Sequence, residues 1–136
     1  MQLNPYLTFN GRCAEAFKFY EKCLGGKLEA MLTHGESPIA DQVAPDWRDR
    51  IMHARLVVGN TVLMGSDSPP QFHEDAKGFS VSIGVDRPAD AERIFNELAK
   101  DGTVRLPLQQ TFWAARFGMF VDRFGISWMV NCGRPA

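Results

Sequence analysis

EAFKFYEKCLGG, Glu15 to Gly26, is the stretch on which the fold turns. Phe17, Tyr20 and Leu24 recur at helical spacing, Cys13 extends the stripe one turn upstream, and Ala14 and Ala16 flank it. Glu15, Lys18, Glu21 and Lys22 fall mostly elsewhere, so one face is apolar and the other charged. The spacing predicts a helix from about Arg12 to Leu24, with Asn10 as its N-cap. Gly25-Gly26 ends it, because glycine takes the left-handed conformation of a C-cap at little cost. Aromatic side chains at this spacing read as core, not as a cofactor box.

Outward from the helix the period changes. Leu3 to Phe9 and Lys27 to His34 alternate apolar with polar residues and are expected as strands one and two, with Pro5 near the start or edge of the first. Gly35 to Asp49 is polar and contains Pro38, Pro45 and Trp47. A loop of about fifteen residues is unusual in a compact domain and points to a lid or a contact with a second subunit. Ile51 to Val58 is strand three, Gly59-Asn60 a tight hairpin, and Thr61 to Met64 strand four, ending at Gly65. Ser66 to Ala76 reads as a linker.

The second half repeats the order. Gly78 to Val85 is expected as strand five. Asp86 and Pro88 open a helix that runs to about Lys100 with Ala91, Ile94, Phe95 and Leu98 on its apolar face, and Gly102 stops it. Thr103 to Leu108, Ala115 to Val121 and Ile126 to Asn131 are strands six to eight, with Phe124-Gly125 in the last turn. Gly26 and Gly102, the hairpins at Gly59 and Gly125, and Met64 and Met129 fall at matching places. The expected fold is therefore α+β: paired βαβββ modules forming a curved mixed sheet around a cleft. The 136 residues form a single domain, with module one at about 1–68 and module two at about 75–134.

Composition narrows the partners. With 45% hydrophobic residues, a chain this long buries a core without disulfide or metal. Fifteen basic residues against sixteen acidic give a formal charge of -1, and Arg48 and Arg50 alternate with Asp46 and Asp49. Nucleic acid, which needs a basic stripe, is not an expected partner. No apolar run approaches the ~20 residues of a membrane helix, and no signal peptide is visible, so the cytoplasm is the expected location. Cys13, Cys23 and Cys132 make no even framework and read as reduced thiols; Cys13, beside Arg12 near a helix start, is the best of three weak candidates for reactivity.

NPYLTFNG (Asn4 to Gly11), EAFKFYEKCLGG, IMHARL (Ile51 to Leu56), LMGSDSPP (Leu63 to Pro70), QTFWAARFG (Gln110 to Gly118) and DRFGISWMVN (Asp122 to Asn131) together resemble the vicinal-oxygen-chelate superfamily, and within it the PhnB-like branch. That superfamily includes glyoxalase I, bleomycin-resistance proteins and extradiol dioxygenases. The resemblance spans nearly the whole chain and implies paired βαβββ units and a homodimer. It also implies a divalent metal held from the first and fourth strands of each module. Those positions land here on Pro5, Met64 (or Leu63), Phe79 and Met129, none of which suits a hard divalent ion.

The expected function is thus a small-molecule binding protein of the glyoxalase/bleomycin-resistance type, with no cofactor predicted. Tyr6, Met64, Phe79, Trp113, Phe120, Trp128 and Met129 are the candidate cleft residues and Arg116 the anchor for an anionic group. The alternative is a lyase, isomerase or dioxygenase with a displaced metal site, for which His53 with Asp67 is the first pair to inspect. His34 and His73 lie on separate elements, and His73 and Asp67 read as surface groups of the linker. The branch also carries the label of a demethylubiquinone methyltransferase, but no glycine-rich strand-to-helix loop for an adenosyl cofactor is present. A third reading is a subunit that associates through the Gly35 to Asp49 loop and Trp47.

Overall fold

The computed structural model describes residues 1–133, so the expected end of module two, at 134, lies outside them. The backbone separates into two compact units, Met1–Asp75 and a second from Ala76 onward. The first contains β1 (Tyr6–Phe9), α1 (Cys13–Leu24), β2 (Lys27–Thr33), β3 (Ile51–Val58) and β4 (Thr61–Asp67). The second contains β5 (Val81–Val85), α2 (Pro88–Leu98), β6 (Thr103–Gln109), β7 (Ala114–Val121) and β8 (Ser127–Gly133). Each is a four-stranded sheet, ordered β1-β4-β3-β2 and β5-β8-β7-β6, in which the first and fourth strands of the unit pair in parallel. This is the βαβββ repeat the sequence predicts.

In the first unit, register sorts the side chains. Leu7, Gly65 and Ala54 sit in one row across the sheet, and Leu56 lies opposite Leu63. These positions, with Phe9, face α1, whose stripe Cys13, Ala16, Phe17, Tyr20 and Cys23 is buried. Leu24, expected in that stripe, is only partly buried. Phe9 and Phe17 meet edge to face at 6.2 Å, as do Phe17 and Tyr20 at 5.7 Å. Full burial of each such ring contributes about 1.5–3 kcal/mol, so the core rests mainly on this aromatic wedge.

Several boundaries differ from expectation, each for a local reason. β1 begins at Tyr6, not Leu3, because Pro5 has no N–H to give; its carbonyl instead accepts from Met64 N at 3.1 Å. β4 does not end at Gly65 but continues to Asp67, because β1 pairs with it through Phe9↔Asp67. Asn10 does not cap α1: Arg12 is the N-cap residue and makes no side-chain cap bond. The cap comes from Asp67 instead, as described below. The 34–50 segment is organised by 3-10 turns at His34–Glu36, Ala40–Gln42 and Pro45–Trp47, the first closed by a Thr33–Glu36 capping box. Trp47 is partly covered, with the Arg50 guanidinium 5.6 Å from its ring centre.

In the second unit, Ala91, Ile94, Phe95 and Leu98 of α2 are buried, together with Phe120, Trp128, Val130 and Cys132 of the sheet. Phe95 meets Phe120 edge to face at 5.0 Å. Pro88 opens α2, but the N-cap is Arg87, not Asp86, and the helix stops at Leu98, short of Lys100. β5 starts at Val81, leaving Phe79 on the approach to it. β6 is an edge strand, which accommodates Pro107, and its register slips between Val104 and Leu106.

Candidate functional site

The face of each sheet turned away from its helix carries the chemistry. In the first unit Tyr6 pairs with Met64 across β1 and β4, and Arg55 of β3 lies opposite Met64 on the other side. His53 stacks on Tyr6 with ring centres 6.0 Å apart and planes at 29°, its Nδ1 3.4 Å from the Tyr6 hydroxyl. Arg55 is paired with Glu29 at 3.1 Å. Tyr6, Met64 and His53, three of the candidates, therefore form one half-exposed patch.

Asp67 is not part of it. Strand alternation turns Asp67 to the α1 side, where it is 3% exposed. One carboxylate oxygen accepts from Gly11 N and Cys13 N, both at 2.9 Å, and the other from Ile51 N at 2.9 Å. The expectation of a surface group in the linker, paired with His53 for catalysis, is corrected. The carboxylate caps α1 and fixes the start of β3. Beside it, Cys13 is fully buried, and that burial, followed by the Asp67 charge, pushes its thiol far above the usual range. Both influences favour the protonated thiol over the thiolate.

In the second unit, Phe79 and Met129 line an open groove of about 600 Å³ with Ser80, Ser127, Lys77 and Arg105. The Ser80 and Ser127 hydroxyls are bonded to each other at 2.8 Å. Trp113 is 50% exposed and packs edge to face with Phe112 at 4.8 Å and Phe117 at 5.4 Å, outside the groove lining. Three candidates lie elsewhere. Phe120 and Trp128 are 0% and 1% exposed, and the Trp128 indole N–H donates to buried Asp122 at 2.8 Å. Both are core, which corrects their assignment to a ligand surface. Arg116 pairs with Glu92 of α2 at 3.2 Å and donates to the Ala115 carbonyl at 2.7 Å, so it is not the groove's anchor.

Lys77 and Arg105 escaped the sequence reading. An arginine in an alternating edge strand ordinarily reads as a solvated group, and the register slip beside Arg105 leaves no mark in composition.

The superfamily's metal has a poor fit here. Of the carried-over positions, Pro5 and Phe79 lie just before β1 and β5, and Met64 and Met129 lie in β4 and β8. Two thioethers and a phenyl ring are not donors for a hard divalent ion. Among the described residues no group of three or more His, Cys, Asp or Glu converges to hold a metal, and no helix is long and apolar enough to cross a membrane.

Comparison with known proteins agrees with this architecture. Residues 2–130 match the family model for the Glyoxalase/Bleomycin resistance protein/Dioxygenase superfamily. Protein YjdN of Escherichia coli (strain K12) is 33% identical over 141 positions, covering 96% of this chain and 95% of YjdN. Among solved structures, protein PA1353 from Pseudomonas aeruginosa is 57% identical, with 99% of each chain covered and a TM-score of 0.91. A PhnB protein from Bacillus cereus, 20% identical over 98% of this chain and 100% of its own, shares the fold with a TM-score of 0.80. The chain belongs to the glyoxalase/bleomycin resistance/dioxygenase superfamily.

Proposed function

We propose that this chain is a small-molecule binding protein of the glyoxalase/bleomycin-resistance type that holds its ligand with apolar and aromatic side chains, not through a metal. The observation that carries the reading is the groove of about 600 Å³ with Phe79 and Met129 in its lining. That volume is in the range of small-molecule sites, about 300–1,000 Å³. The Tyr6–Met64 patch of the first unit and Trp113 of the second are, each by itself, further candidate contact surfaces in this proposal. It also takes the chain to act as a cytoplasmic homodimer.

Elemental analysis of untagged protein, paired with thermal melts with and without chelator, tests it. The expected result is substoichiometric metal and an unchanged melting temperature. Stoichiometric metal with a chelator-sensitive melt would overturn it. A second reading, an enzyme of the same superfamily with a displaced site, draws on the His53–Tyr6 stack. It requires that His53→Ala lose that metal while the fold survives.

A further inference from the structure

The groove on the second unit has a charge asymmetry that its apolar residues do not explain. Its lining holds two cations, Lys77 and Arg105, two hydroxyls, Ser80 and Ser127, and no carboxylate. Several arginines elsewhere are neutralised: Arg55 by Glu29, Arg87 by Asp90, Arg116 by Glu92 and Arg123 by Asp101. Among the described residues, neither Lys77 nor Arg105 is in such a pair. Arg105 sits at the register slip between Val104↔Phe120 and Leu106↔Met119, and an extra residue of this kind re-aims a side chain.

We infer that the groove selects an organic oxyanion: a flat apolar body lying against Phe79 and Met129, with its acidic head group taken by Arg105 and Lys77. The inference rests on the binding function proposed above and names its ligand class. The guanidinium fork matches the two oxygens of a carboxylate, phosphate or sulfonate, and lysine adds a mobile point charge. The Ser80–Ser127 pair has a hydroxyl proton and lone pairs to offer a polar substituent. Two cations beside an apolar wall disfavour a cationic ligand and leave a neutral one without its strongest contact.

Two fluorescent probes with the same ring system separate the terms: 1-anilinonaphthalene-8-sulfonate, and N-phenyl-1-naphthylamine, which lacks the sulfonate. Titrations use the full-length protein and its Arg105→Met, Lys77→Met and Met129→Ala variants, each first checked for an unchanged melt. The sulfonate is expected to bind at least tenfold more tightly than the neutral amine. Arg105→Met should remove most of that advantage and Lys77→Met part of it, both with the amine's affinity within twofold. Met129→Ala should weaken both probes together. Equal binding of the two probes, unchanged in Arg105→Met and Lys77→Met, would overturn the anion selectivity while leaving the apolar binding reading in place. Failure of both probes to bind the unsubstituted protein would overturn both.

Discussion

Asp67 and Asp122 are both 3% exposed, and in both one oxygen accepts from two backbone N–H groups while the other accepts from a further donor. The chemistry is the same and the reach is not. Asp122 bonds Phe124, Ile126 and Trp128, within six residues, and so organises its own hairpin. Asp67 joins Gly11 and Cys13, 56 and 54 residues away, to Ile51, 16 away. One carboxylate builds a turn; the other ties three segments of a unit together. The repeat preserves topology while its two halves solve polar satisfaction by different means.

A second contrast lies where each helix hands over to its next strand. In the first unit Gly25 takes φ 73 and Gly26 follows; in the second Asp101 takes φ 63 and Gly102 follows. A Cβ on Gly26 would lie 2.5 Å from the Val57 carbonyl oxygen, and one on Gly102 would press on the Val121 carbonyl. The cramped glycine is kept in both turns. The left-handed position before it is glycine in one and aspartate in the other.

If reach is what matters, Asp67→Ala has the largest effect. It orphans two buried N–H groups, of Cys13 and Ile51, and the part-buried one of Gly11, and should cost ~4 kcal/mol in urea unfolding. Asp122→Ala should cost less, because the residues Asp122 joins stay close through the short chain between them, although the Ile126 and Trp128 donors are buried too. Equal losses would erase the distinction. Next, Gly26→Ala and Gly102→Ala should each cost about 1–3 kcal/mol by overpacking against backbone. A loss in one alone would break the equivalence of the two turns. Smaller still, Gly25→Ala should destabilise by about 1 kcal/mol, while Asp101→Gly should stabilise by ~0.5 kcal/mol despite losing its exposed ion pair with Arg123.

The smallest effect is one of pH. Thr33, through its side chain and then its backbone N–H, holds the Glu36 carboxyl below the usual carboxylate range. A lowered folded-state pKa means that its stabilisation is present above the ordinary value of about 4.3 and is lost as pH falls through the lowered one. Amide signals of Thr33 and Glu36 should shift in that acid window in the parent protein and not in Glu36→Gln. The second unit lacks this device among its described residues, so its amides serve as the internal control.

Periodicity carried the fold well because it reports burial. The stripe through Phe17 and Tyr20 and the alternation around Leu56 and Val130 could be satisfied only by a helix on a sheet, twice over. It failed where a distant partner decides. Nothing near Asn10 shows that Asp67 will displace it as the cap of α1, and nothing near Met64 shows that β1 will extend β4 to Asp67. The outward facing of Tyr6 and Met64 in the first unit and of Met129 in the second was legible, because it follows the strand period. Phe120 and Trp128 were misplaced because aromatic identity does not reveal which side of a sheet is covered. Arg105 was missed because a register slip leaves no compositional mark.

The three free cysteines give the protein a built-in clock. Cys13 and Cys23 lie in α1 at 0% and 2% exposure, and Cys132 lies in β8 at 0%. A thiol reagent can modify them only when the structure around them opens. Modification of Cys13 and Cys23 then times the opening of the first unit and modification of Cys132 that of the second. The two halves of the repeat thus carry separate reporters, and their stabilities are measurable side by side in one unlabelled, unmutated molecule.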